Sequence, residues 1–186
     1  MSYHYQDRIE TSWRELRHFL TEKAEPQTSR NEGPFYEDFE VGKTISHELG
    51  RTITDNDNIW FSLLTCNSNQ IHFNKDYAEK FFSKPPFEGR LVVNSTLIFS
   101  IVLGLSVKDT SKNGIMLGMT DWEVVHPTFA GDTIYAESEV VAKRESGSHS
   151  TMGLVTVITR GFNQNNETIM KFKRTFMVRK FGKEWS

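Results

Sequence analysis

Gly89-Arg90-Leu91-Val92-Val93-Asn94-Ser95-Thr96 leads into the most apolar segment of the chain, residues 91–107. That segment carries Asn94, Ser95, Thr96, Ser100 and Ser106. It is too short and too polar to span a bilayer and reads as a core helix over residues 94–106. Its apolar positions run nearly all round, so the helix is expected to be buried on all sides. Downstream the period changes. Residues 116–125, 133–144, 152–163 and 168–179 are rich in Val, Ile, Thr, Phe and Tyr and largely alternate, as strands do. Gly131-Asp132, Ser146-Gly147-Ser148 and Asn163-Gln164-Asn165-Asn166 fall between them as turns. One earlier strand is expected at about residues 43–53. A strand, a buried helix and an antiparallel meander make an α+β architecture, an antiparallel sheet wrapped around a central helix.

Upstream of the apolar run lies a polar knot, Leu63-Leu64-Thr65-Cys66-Asn67-Ser68-Asn69-Gln70-Ile71-His72-Phe73-Asn74. It ends a helix-like stretch that Thr54 can cap, with Asp57 three residues on reaching back as in a capping box. That helix is expected to run to about Thr65. A second short helix, residues 75–82, is stopped by Pro85-Pro86. Asn67 and His72 lie five apart, and a turn between them could fold both side chains into one pocket.

Length and composition bound the rest. A chain of 186 residues is one domain by size and long enough to bury a core without staples. The net charge is -2 with 25% charged residues, which gives no electrostatic footprint for nucleic acid or an anionic membrane. The single cysteine, Cys66, cannot form an internal disulfide, which fits a reducing, cytoplasmic compartment. No apolar stretch near Met1 suggests a signal peptide. Ile9, Trp13, Leu16 and Leu20 make a helical stripe, so residues 1–34 are expected to be an amphipathic helix and linker ahead of one domain, residues 35–186. His126 and His149 show no ligand spacing with another His or Cys, and no metal is expected. No glycine-rich phosphate loop is present, so no redox cofactor is expected either.

Four pieces in order resemble the MaoC-like, (R)-specific enoyl-CoA hydratase branch of the hot-dog fold. They are the turn from Phe35 to Gly42, Asn67-x-x-x-x-His72 with Phe73-Asn74-x-x-Tyr77-Ala78, the run from Gly89 to Asn94, and Pro127-x-x-x-Gly131-Asp132-Thr133. Val93-Asn94-Ser95, Gly104-Leu105-Ser106-Val107-x-Asp109-Thr110 and Leu117-Gly118-Met119-Thr120 look closest to mesaconyl-CoA and itaconyl-CoA hydratases. The resemblance implies a hydro-lyase that adds water reversibly to a 2-enoyl-CoA thioester, with a short branched or dicarboxylic acyl group as the finer expectation. It implies at least a homodimer, with coenzyme A as a carrier on the substrate rather than a bound cofactor.

Such chemistry needs a base for water, an acid for the α-carbon and a dipole at the thioester oxygen. His72 matches the family histidine; otherwise it reads as a buried histidine bonded to the backbone. Asn67 stands where the family pattern commonly has Asp. An amide orients a proton but cannot accept one at neutral pH. Either Asn67 and His72 hold the water together and His72 alone carries the proton, or hydration is lost and only acyl-thioester binding remains. Val93 and Asn94 mark the helix start whose backbone N–H groups are the oxyanion candidates. Asn94 replaces the family's usual Gly, so its side chain is expected to narrow the pocket or add a contact. Arg90 could meet a second substrate carboxylate, or be a surface or interface arginine. Asp55 and Asp57 read as helix-start carboxylates that could replace the missing acid if the fold brings them close. Cys66 has no base partner and reads as structural. The competing functions are a hot-dog thioesterase, which generally needs the carboxylate that Asn67 lacks, and a non-catalytic acyl-thioester-binding module.

Overall fold

The structure is a computed structural model and describes residues 33–185. The amphipathic helix expected from Ile9, Trp13, Leu16 and Leu20 lies outside the described residues. Two short strands come first, β1 (Thr44–Ser46) and β2 (Arg51–Thr52), then helices α1 (Asp55–Leu64), α2 (Lys75–Phe81) and α3 (Ser95–Thr110). Four long strands follow, β3 (Gly114–Val124), β4 (Thr133–Glu145), β5 (Met152–Phe162) and β6 (Thr168–Arg179). The sheet order is β1-β4-β5-β6-β3, with β2 also on β4, and each pairing is antiparallel.

The inward residues of this sheet pack on α3. Val93, Leu97, Ile98 and Val102 meet Ile134, Ala136, Met170 and Phe172 in one buried cluster. Gly161 on β5 makes the close approach possible. A Cβ there would stand 2.5 Å from Val102 Cγ2, closer than packed carbons tolerate.

Three expectations need correction. The first strand is broken. The chain takes more residues from Ser46 to Arg51 than β4 takes from Glu137 to Ile134, so residues 47–50 bulge and His47 turns inward. Second, α3 runs beyond residue 106. The Ser106 hydroxyl donates to Leu103 O (2.6 Å) and that of Thr110 to Ser106 O, and both accept from the Arg174 guanidinium on β6 at 2.7 Å. Two polar residues that look like a helix end are thereby tolerated in the core. Third, α3 is not buried on all sides. Thr96, Ser100, Gly104, Val107 and Lys108 are exposed in the single chain. So is most of β3, an edge strand on which Ile115, Met116, Leu117, Trp122 and Val124 are exposed.

Candidate active site

The site is assembled from the ends of helices. Thr54 caps α1 as expected: its Oγ1 accepts from Asp57 N (3.2 Å), while Asp57 Oδ2 accepts from Thr54 N (2.8 Å) and Thr54 Oγ1 (2.7 Å). Asp57 Oδ1 accepts from Arg51 Nη2 at 2.7 Å. Burial alone would raise the Asp57 carboxyl, but these donors hold it below the usual carboxylate range. One of its oxygens is engaged in the cap and the other in the Arg51 ion pair, so Asp57 does not replace the missing acid. Asp55 remains exposed at the helix start.

The other end of α1 sets the position of Asn67. Cys66 adopts a left-handed conformation (φ 55) just past the helix. Cys66 N donates to Leu63 O (3.1 Å) and Asn67 N to Ser62 O (2.9 Å), the bond pattern of a Schellman C-cap. Cys66 is exposed and occupies the turn. Asn67 Oδ1 then accepts from Asn69 N (3.0 Å), and Asn69 Oδ1 from Ile71 N (3.3 Å). These successive side-chain turns wind the chain into the 3-10 turn Gln70–His72.

His72 is half-buried, and its Nδ1 lies 2.8 Å from Val92 O. A carbonyl only accepts, so Nδ1 carries a proton, and in the neutral ring Nε2 keeps its lone pair. No hydrogen bond joins the Asn67 and His72 side chains directly. His72 is held instead through a residue that the motif does not include. Asn58 on α1 is 1% exposed. Its Nδ2 donates to His72 O (2.8 Å) and Val92 O (3.0 Å), and its Oδ1 accepts from Asn94 N (2.9 Å). One turn on, Ser62 Oγ accepts from Asn94 Nδ2 (3.3 Å). The available signal was two polar residues four apart on one face of the helix.

The roles expected at the start of α3 shift accordingly. Val93 N donates to Thr128 O (2.8 Å) and Asn94 N to Asn58, so neither amide is open to a ligand. The Asn94 side chain does not narrow a pocket. It is buried, caps α3 through Thr96 N (3.0 Å) and packs on Ser62. Among the described residues Ser95 N has no hydrogen-bond partner and is the amide left at this helix start. Arg90 donates to Pro86 O (3.2 Å) and stacks 3.7 Å over the Phe129 ring. It lines a cleft of about 330 Å³ with Asp55, Lys75, Glu79, Glu88 and Phe129. Neither His72 nor Asn67 forms a wall of that cleft. Among the described residues no group of three His, Cys, Asp or Glu could hold a metal ion. His126 bonds Thr168 O (2.8 Å) and stands apart from the site.

A second polar cluster lies at the far end of α3. His47 Nδ1 is 2.9 Å from Asp109 Oδ2, and Nε2 is 2.9 Å from Ser138 Oγ. The connectivity is that of an acyl-transfer triad. However, Ser138 is fully buried and shares its hydroxyl with Thr159 (2.9 Å), so no acyl carbonyl reaches it. Burial pushes His47 below the ordinary histidine range, against the opposing pull of Asp109, and the Arg174 charge adds to the lowering. Burial also holds Arg174 down to about 10. A histidine lowered on folding contributes stability that is complete above its unfolded value of about 6.5 and lost as pH falls through the folded value. The melting temperature is therefore expected to fall as pH drops below about 6.5. A His47→Asn variant, less stable at pH 8, should show a flatter profile in calorimetry from neutral to mildly acid buffer.

Comparison with known proteins adds a family to this geometry. A model of the mesaconyl-CoA hydratase family matches residues 12–183. The chain belongs to the mesaconyl-CoA hydratase family. It is 32% identical over 151 residues to a mesaconyl-CoA hydratase of Cereibacter sphaeroides, covering 81% of this chain and 42% of that one. It is 33% identical to a β-methylmalyl-CoA dehydratase of Chloroflexus aurantiacus, covering 81% and 41%. The chain thus spans about two fifths of the length of these curated relatives. A solved MaoC domain protein of Chloroflexus aurantiacus superposes with a TM-score of 0.73 at 32% identity, over 81% of this chain and 41% of that one. A Mycobacterium tuberculosis protein with a double hotdog fold gives a TM-score of 0.72 at 18% identity, over 85% and 47%, a likeness of fold alone. The MaoC-like resemblance and the hot-dog architecture expected from sequence are both established by these matches and the sheet order.

Proposed function

We propose that the chain is a hydro-lyase that adds water reversibly to the double bond of a 2-enoyl-CoA thioester. The observation that carries this is the His72 Nδ1–Val92 O bond, which in the neutral ring leaves Nε2 free as the one base of the motif. Nε2 takes a proton from a water steadied by the Asn67 amide. The hydroxide adds to the β-carbon, the π electrons move to the thioester oxygen, and the open Ser95 N–H steadies that charge. The imidazolium then returns its proton to the α-carbon as the enolate collapses, so the ring ends as it began. Asn67 in place of a carboxylate fits this single-base course, in which no second proton carrier is required.

Family membership and the curated relatives support a mesaconyl-type acyl group, with an itaconyl type as the alternative from sequence, and Arg90 is the residue proposed to meet its second carboxylate. The test is the enoyl-thioester absorbance with crotonyl-, mesaconyl- and itaconyl-CoA. Preferential loss with a dicarboxylic substrate is expected, and equal turnover of crotonyl-CoA would remove the Arg90 role. Release of free thiol would mean a thioesterase, and binding without turnover a carrier module.

Coenzyme A chemistry and an exposed lone thiol support a cytoplasmic setting. The open edge and apolar face of β3, beside the exposed side of α3, suit a second copy of the chain in a homodimer. Sedimentation should return twice the chain mass, and a monomer at micromolar concentration would end that reading.

A further inference from the structure

The buried face of α1 points to a role for Asn58 that neither the motif nor the family match assigns. We infer that Asn58 is the positioning residue that sets His72 against the start of α3. This rests on the hydratase reading for its catalytic consequence and on geometry alone for its structural one.

An asparagine side chain offers two N–H donors and a carbonyl acceptor. In Asn58 all three are engaged, each on the main chain of a different part of the site. One N–H goes to the carbonyl of His72 itself, at 2.8 Å. The other goes to Val92 O at 3.0 Å, the same oxygen that accepts from His72 Nδ1. The carbonyl holds Asn94 N at 2.9 Å, the residue that caps α3. The side chain is 99% removed from solvent, so water cannot substitute for any of the three bonds.

Two consequences follow. First, the imidazole is fixed at both ends of its residue: its carbonyl by Asn58, its Nδ1 by a carbonyl that Asn58 also holds. Second, the same side chain closes the Asn94 amide and leaves Ser95 N as the amide at the helix start with no partner among the described residues. Asn67 joins the same frame through Ser62, which accepts from Asn67 N on its carbonyl and from Asn94 Nδ2 on its hydroxyl. The base, the amide and the oxyanion donor are thus tied to two residues one turn apart on α1. Asn58 touches no reacting atom in this arrangement and acts through His72 and α3.

The test compares Asn58→Ala and Asn58→Asp with the parent on the best enoyl-CoA substrate, alongside amide hydrogen exchange of Asn94. Asn58→Ala removes all three bonds. An ionised Asp keeps the acceptor for Asn94 N but loses both donors. A positioning role predicts a fall of about 10²-fold in kcat for both variants, with KM little changed, because misplacement of a reacting group is felt in the transition state. It also predicts that the Asn94 amide is protected in the parent and in Asn58→Asp, and exchanges freely in Asn58→Ala. A folded Asn58→Ala enzyme with parental kcat would overturn the inference, as would a rise in KM alone. Should Asn58→Ala fail to fold, the Asp variant and the parent's exchange still decide: a rapidly exchanging Asn94 amide in the parent refutes the clamp. If the parent hydrates no enoyl thioester, the hydratase reading falls, and the exchange arm alone judges Asn58.

Discussion

Replacing His72 with alanine is expected to lower the rate of enoyl-thioester hydration by about 10² to 10⁴-fold, the usual contribution of one positioned acid-base group. The size follows from the geometry. Nδ1 is committed to Val92 O, so Nε2 is the only basic atom of the motif, and Asn67 cannot take over a proton. Substrate binding should survive, since the ring is half-buried and its loss leaves the acyl group's other contacts in place. Stopped-flow absorbance with the parent's best substrate reads the effect. Asn67→Ala should cost less than His72→Ala, because it removes an orienting group and not the proton carrier. If His72→Ala and Asn67→Ala both hydrate at the parental rate, the site is misassigned.

The second large effect lies in the core beneath the site. Phe172→Ala should destabilise the fold by about 3–5 kcal/mol, the usual loss for a buried aromatic truncated to alanine. Phe172 is fully buried on β6 in the cluster that holds α3, with its ring 5.0 Å from that of Phe99 in an edge-on contact. Total stability of domains is about 5–15 kcal/mol, so the variant should unfold at much lower urea and could be largely unfolded at physiological temperature. Equilibrium urea unfolding measures it. A loss under about 1 kcal/mol would show that α3 does not depend on this face of the sheet for its place.

These two residues differ in how far the sequence announces them. His72 is visible as one end of a five-residue spacing with Asn67, within a polar knot at the end of an apolar helix. Phe172 is visible only as one of many apolar residues in an alternating strand. Arg174, two residues on, gives no hint that it is buried and bonded to Ser106 and Thr110 across the core. Among the described residues each expected helix and each late strand is present, with bounds shifted by a few residues. The exceptions, the break at His47 and the extension of α3, both come from buried polar groups finding distant partners.

What the sequence determined by itself was therefore local. The Thr54–Asp57 capping box, the proline stop after α2, the turns around Gly131 and Asn163, and the alternation of β4 to β6 all rest on partners within about four residues, where the chain's own geometry leaves few alternatives. The tertiary structure decided what lies across longer separations. Asn58 reaches residues 14, 34 and 36 positions away, and His47 reaches 62 and 91. Which polar groups meet at such distances depends on strand register and on where α3 sits in the sheet, since one step of slip would turn each side chain to the opposite face. For that reason the candidate base could be read from the motif, while the asparagine proposed to aim it came to light only once the chain was folded.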